Sequence, residues 1–209
     1  MERKPLMGYY VTHRALRKDT DRIKTISSKF DQYSVVDWKK IAAWFDYHGK
    51  MVYYHHHGED VYFFPWIKQR SSRFSAQLQK MDDEHKALDR FMEKMKNLFS
   101  GLRSGQSISR EEFNMTTIAY TMLLINHLDE EEVFVEDALK EFKTEEIFTA
   151  EAQYLKQMPQ EQKSGSLPWM VDVMQPEERE AFFSITPFFV KWIYSLSAKP
   201  KFEKMVSAI

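Results

Sequence analysis

His55-His56-His57-Gly58-Glu59-Asp60-Val61 and His127-Leu128-Asp129-Glu130-Glu131-Glu132-Val133 decide the fold of this chain. Laid over each other they share a His-x-x-x-Glu followed by an acidic residue and Val, at an offset of 127 − 55 = 72 residues. His13-Arg14-Ala15-Leu16 recurs as His85-Lys86-Ala87-Leu88 at the same offset, 85 − 13 = 72. It also sets Asp37, expected to open the second helix, against Ser109. The chain therefore reads as two copies of one helical hairpin, each with a lone His on its first helix and a His-x-x-x-Glu on its second. Four His and two Glu related by an approximate two-fold are a donor set for two metal ions inside a four-helix bundle.

Apolar residues at helical spacing extend outward from these motifs. The first helix is expected from about Gly8 to Phe30, with Tyr9, His13, Leu16, Thr20, Ile23 and Ser27 facing inward. The second runs from about Asp37 to Pro65, the third from about Gln69 to Leu102, and the fourth opens at a Ser109/Glu112 capping box. Inward spacings alternating between 3 and 4 suit nearly antiparallel packing. Beyond them, Lys143 to Met158 reads as helix, Pro159 to Pro168 as a loop around Lys163-Ser164-Gly165-Ser166, and the stretch after Pro176 as helices interrupted at Pro187. The expected fold is all-α: an antiparallel up-down four-helix bundle over residues 1–142. Residues 143–209 form a C-terminal helical extension packed on it and have no counterpart in the repeat.

Composition narrows the function. The 209 residues carry 30 Lys and Arg against 31 Asp and Glu, a net charge of −1, so no global basic field draws nucleic acid or an anionic membrane. The absence of Cys removes disulfides, thiolate-bound zinc, Cys-ligated clusters and Cys nucleophiles. Met1 to Gly8 lacks the apolar stretch of a secretory signal, and the run Ile118 to Ile125 is far short of the ~20 residues that span a bilayer. A cytoplasmic location is expected.

Residues four apart on a helix share a face. His55 with Glu59, and His127 with Glu131, thus point the same way from the apolar rows of their helices. Two buried glutamates without Lys or Arg on those rows call for cations. His13 and His85 add neutral imidazoles, and the mixed set suits iron, manganese or zinc over copper(I). A single His-x-x-x-Glu is commonplace on helices; two equally spaced sets are not. His48, two turns before His55, reads as a core residue or a hydrogen-bond partner near the metals. His57 faces outward. His56, which has Asp60 at i+4, is ambiguous, and the repeat favours the His55/Glu59 register. Tyr9, Tyr54 and Tyr120 are candidates to support the metals with a hydrogen bond or as a ligand.

Together His13-Arg14-Ala15-Leu16-Arg17, His55 to Asp60 leading into Phe63-Phe64-Pro65, Glu84-His85-Lys86-Ala87-Leu88 and His127 to Glu132 resemble the hemerythrin-like (HHE cation-binding) family, over roughly Met7 to Leu139. The C-terminal stretch is similar to the extension of longer bacterial members. The resemblance implies two non-haem iron ions, oxo- or hydroxo-bridged, with Glu59 and Glu131 bridging them and His13, His55, His85 and His127 completing the set. Manganese or zinc would be the less usual load. The order His-x-x-x-Glu separates it from ferritin-like sites, whose motif is Glu-x-x-His. Oxygen-carrying members place two His one turn apart on the third helix, whereas His85 here has Met81 and Asp89 as its neighbours. Four His in place of five leave an open position on the metals and point away from reversible oxygen carriage. The reading is a di-iron oxidoreductase handling peroxide, dioxygen or nitric oxide, first of all by catalase-like peroxide decomposition. The alternative is an iron- or oxygen-sensing or oxygen-binding module without turnover. A small-molecule ligand is the expected partner, with neither nucleic acid nor membrane; a homodimer or a protein partner is left open.

Overall fold

The computed structural model describes residues 5–207 and 209. The first four residues of the N-terminal stretch discussed above lie outside them. Helix accounts for 86% of the described residues, with no strand among them. The bundle consists of α1 (Met7–Ser28), α2 (Val35–Gly58), α4 (Ser75–Arg103) and α5 (Arg110–Leu139), with the short α3 (Phe64–Lys68) between its second and third members. Contacts run from α1 to α2, α2 to α4, α4 to α5 and back from α5 to α1, which closes an up-down-up-down bundle. No described helix is long and apolar enough to cross a membrane.

Local chemistry sets the helix ends. Ser34, and not Asp37, caps α2: its hydroxyl accepts from the Asp37 N–H, and the Asp37 carboxylate accepts in return from the Ser34 N–H. The offset between this cap and Ser109 is 109 − 34 = 75, so the repeat does not extend to the caps. Ser109 does cap α5, accepting from the Glu112 N–H at 3.0 Å. The second helical run continues past Gly58 through one wide π turn, Glu59–Phe63, into α3. A second π turn, Tyr194–Ala198, precedes α10 (Lys199–Val206). Each ends two residues before a proline, Pro65 or Pro200. The proline ring cannot donate and presses on the carbonyl four residues back, and the wider turn relieves both. The third bundle helix starts at Ser75, later than expected, behind a short 3-10 turn at Ser72–Phe74.

The C-terminal part contains α6 (Thr144–Gln157), α7 (Gln160–Val171), α8 (Pro176–Ile185), α9 (Phe188–Ile193) and α10. The expected loop at Pro159–Pro168 is instead helical, with Pro168 inside α7. Packing outweighs the local breakers: Trp169 is buried against the bundle, and the Gly165 carbonyl accepts from the Tyr47 hydroxyl at 2.7 Å. Phe202 of α10 joins the same core, while Ile147 of α6 joins a second.

Those two apolar cores define the site's place. The larger holds Leu16, Phe45, Val52, Leu88, Phe99, Phe113, Leu124 and Leu128. The smaller, at the other end, holds Phe64, Leu78, Met81, Phe134 and Ala138. His85 lies in sequence between Met81 and Leu88, Glu59 between Val52 and Phe64, and Glu131 between Leu128 and Phe134, so a polar layer is held between two apolar ones. Phe99, 2% exposed and stacked on Phe45 at 4.3 Å, anchors the larger core. Phe99→Ala is expected to destabilise the fold by about 3–5 kcal/mol in urea unfolding while keeping metal content, since it lies outside the polar layer.

Candidate metal centre

Each bundle helix sends side chains into this layer. α1 contributes His13, α2 with its π turn His55, His56 and Glu59, α4 His85, and α5 His127 and Glu131. They form two adjoining groups. His13, His55, Glu59 and Glu131 offer ligand atoms within 4.8 Å of one another, and so do His56, His85 and His127. The glutamates link the groups. Glu59 lies 3.0 Å from His55 Nδ1 through one oxygen and 3.6 Å from His85 Nε2 through the other. Glu131 Oε2 lies 3.4 Å from His13 Nε2 and 3.5 Å from His127 Nε2. All six residues predicted as ligands are thus brought together.

The four-histidine count falls short of the cluster: five imidazoles converge, so the expected shortage of one histidine no longer argues against reversible oxygen binding. His56 enters the second group, its ring stacked on that of His85 at 4.0 Å and 14° and edge-on to His127 at 5.4 Å. The repeat passed it over because the residue 72 positions on is Leu128. Its burial, 5% exposed between two imidazoles, is visible only in three dimensions. Asp89 is exposed, and His57 is exposed and stacked on Tyr53.

Three carboxylates outside the ligand set orient the rings. Glu132 accepts from His13 Nδ1 at 2.8 Å, Asp60 from His85 Nδ1 at 2.9 Å and Glu84 from His127 Nδ1 at 2.9 Å. An ionised carboxylate only accepts, so each Nδ1 carries the proton and each Nε2 lone pair faces the centre. Glu132 is itself held by Arg17 at 2.6 Å, and Lys80 pairs with Glu84 and Glu130. Burial opposes charge on Glu132, but the bonds from His13 and Arg17 outweigh it and hold its carboxyl below the usual range. The 72-residue repeat carried this signal as well: Asp60 and Glu132 are counterparts in it.

The electrostatics of the layer call for positive charge. Burial, reinforced by the neighbouring Glu131, pushes the Glu59 carboxyl well above its ordinary range. Burial acts against Glu131 too, but the close approach of His13 at 3.4 Å and the nearby His55 and His127 pull it down. Burial depresses His55 and His56, so these rings are neutral and available as ligands. His13 Nε2, His55 Nε2, both ring nitrogens of His56 and all four carboxylate oxygens of Glu59 and Glu131 are buried without a hydrogen-bond partner. Acceptors far outnumber donors among these converging atoms, which fits bound cations.

The three tyrosines part company. Tyr9 lies at the centre: its ring is 4.1 Å from His13 and 6.1 Å from His55, and its buried hydroxyl has no partner. Tyr54 packs on the larger apolar core, and its backbone carbonyl, not its phenol, meets Gln162. Tyr120 is turned away and donates to His48 Nε2 at 2.7 Å. The extension supplies a fourth, Tyr154 of α6, bonded to Gln162 at 3.0 Å and laid over Gly58. A Cβ on Gly58 would fall 2.5 Å from the Tyr154 hydroxyl and 2.9 Å from its Cζ, so glycine is needed there for close approach. Gly58→Ala is expected to cost about 1–3 kcal/mol by overpacking. Tyr154→Ala in the same chain is expected to remove most of that cost, giving a favourable coupling in a double-mutant unfolding cycle.

The family model described as hemerythrin HHE cation binding domain matches residues 10–138. No curated protein and no solved structure gives a significant match.

Proposed function

Since the chain belongs to the hemerythrin HHE cation-binding family, we propose that it holds two iron ions between its helices and uses them to consume peroxide. One observation carries the metal reading: the convergence of orphaned buried Nε2 and carboxylate atoms from four helices. His13 and His55 would hold one ion, His56, His85 and His127 the other, with Glu59 and Glu131 shared between them. Imidazole and carboxylate donors suit iron. A bound iron pair supplies one-electron redox steps that no side chain in the layer provides.

The protein's own work is orientation and exclusion. Glu132, Asp60 and Glu84 keep the Nδ1 protons outside, so the ring nitrogens facing the centre stay unprotonated. The apolar layers on either side keep bulk water from the two glutamates. Tyr9 presents a phenol at the edge of the centre, where burial, followed by Glu131 and Glu59, pushes its pKa upward. It stays protonated at neutral pH, and its unpartnered hydroxyl is free to donate a hydrogen bond into the centre. An ion held on the His13/His55 side would have two imidazoles against three for the other, and Tyr9 lies beside that less fully ligated group.

Iron loading is expected to raise stability by about 4 kcal/mol when free metal is a thousandfold above its dissociation constant, read as an upward shift in melting temperature over chelator-treated protein. The deciding experiment measures iron per chain and near-ultraviolet oxo-to-iron absorption, then adds hydrogen peroxide and follows oxygen release. Two irons with rapid oxygen release are expected. Two irons without turnover would replace the peroxide reading by gas binding or sensing, and no bound metal would overturn the whole reading. His56→Ala is expected to lower the iron content toward one per chain with the helical signal retained; an unchanged count of two would remove His56 from the ligand set.

A further inference from the structure

A second polar cluster, fully buried and separate from the metal layer, has no part in the reading above. Tyr120, His48 and Asp19 are each 0% exposed and Trp169 is 2% exposed. The Tyr120 hydroxyl lies 2.7 Å from His48 Nε2, and His48 Nδ1 lies 3.0 Å from Asp19 Oδ2. Trp169 Nε1 donates to the same oxygen at 2.9 Å, and Arg22 donates to Asp19 Oδ1 at 2.7 Å. The Trp44 ring stacks over His48 at 5.8 Å.

One arrangement gives every hydrogen in this cluster an acceptor, that of the Tyr120 hydroxyl included. Asp19 is ionised, since Trp169 and Arg22 only donate, and the Arg22 guanidinium balances its charge. His48 is then a neutral ring with its proton on Nδ1, directed at Asp19, and its Nε2 accepts the Tyr120 proton. This is the order a phenol needs to give up an electron inside an apolar core. An oxidised phenol is strongly acidic and must lose its proton at once, and here a base stands 2.7 Å away with a carboxylate behind it. Tyr120 and His48 each lie seven residues before a metal-layer residue on the same helix, His127 and His55. At 1.5 Å per residue that is about 10 Å along the helix axis, within reach of electron tunnelling.

We propose that Tyr120 is a redox-active residue, an auxiliary one-electron donor to the metal layer, with His48 as its proton acceptor. The proposal rests on the iron reading above. Reduction of hydrogen peroxide to two waters consumes two electrons and two protons. When the iron pair holds only one electron to give, Tyr120 gives the second. Its O–H bond breaks, the proton forms an N–H bond at His48 Nε2, and the new imidazolium is held against Asp19. The two protons for water come from solvent. A one-electron reductant of the ascorbate class later restores the phenol, and His48 returns the proton.

The test uses the full iron-loaded chain, partly reduced, mixed with hydrogen peroxide, frozen rapidly and examined by electron paramagnetic resonance. A neutral tyrosyl signal is expected in the native protein, lost in Tyr120→Phe and kept in the control Tyr53→Phe, whose ring is exposed and stacks on His57. Iron content and ferric absorption are measured on the same samples. Ferric conversion with no radical, or with the same radical in Tyr120→Phe, overturns the proposal and leaves the metal reading standing. Failure to bind iron overturns the metal reading and the relay with it. A second measurement needs no substitution: in deuterated buffer the native signal is expected to show coupling to an exchangeable hydrogen shared with His48, and its absence overturns the assigned proton acceptor. A purely structural network would produce no radical.

Discussion

Two glutamates, Glu59 and Glu131, stand side by side in a layer almost closed to water, and the rest of the molecule is arranged around that fact. Neither has a Lys or Arg against it. Left alone, the pair cannot both be ionised: burial and mutual repulsion push Glu59 up while the imidazoles pull Glu131 down, so a proton does part of a cation's work. Two divalent ions would remove the conflict. They would also give partners to the histidine nitrogens, which are orphaned for the same reason. The apolar cores above and below raise the cost of leaving this layer unbalanced and make it selective for bound charge.

Orientation of the layer is passed outward in steps. Three of the five imidazoles are gripped at Nδ1 by carboxylates nearer the surface, and two of those carboxylates are gripped by cations, Glu132 by Arg17 and Glu84 by Lys80. Most exposed ion pairs contribute little to stability. These fix ring tautomers instead, a specificity role that a loss of a few tenths of a kcal/mol in stability would not reveal. His55 and His56 follow a different logic. Neither ring is held by a carboxylate outside the layer, and the helix itself positions them just before the π turn.

The 72-residue repeat made the bundle and six of the layer's residues legible, because an internal two-fold leaves its period in the chain. What broke the two-fold was not legible. His56 has Leu128 as its counterpart, so symmetry argued against it. The π turn at Glu59–Phe63 answers to the ring of Pro65, a position the repeat does not govern. Asp37 looked like a cap because the offset carried it onto Ser109, but the reciprocal bonds put Ser34 there. The run Pro159–Pro168 has every local mark of a loop; Trp169 and Tyr47 hold it helical through contacts more than a hundred residues away in sequence. Tyr120 was correctly inward but not at the metals, since inwardness on a helix does not say which layer a side chain meets.

The extension then has a physical role that its composition alone did not disclose. It touches the bundle beside both polar clusters. Tyr154 of α6 lies over Gly58, one residue from Glu59, and the close approach works only because that position lacks a Cβ. Trp169 of α7 completes the hydrogen bonding of Asp19, the carboxylate behind His48. Without these helices the Gly58 flank would open to water, Asp19 would be one donor short, and the larger core would lose Trp169 and Phe202. The residues after 142 therefore bear on the chemistry of the bundle itself. Tyr154 covers the backbone next to Glu59, and Trp169 adds a donor to the carboxylate behind His48.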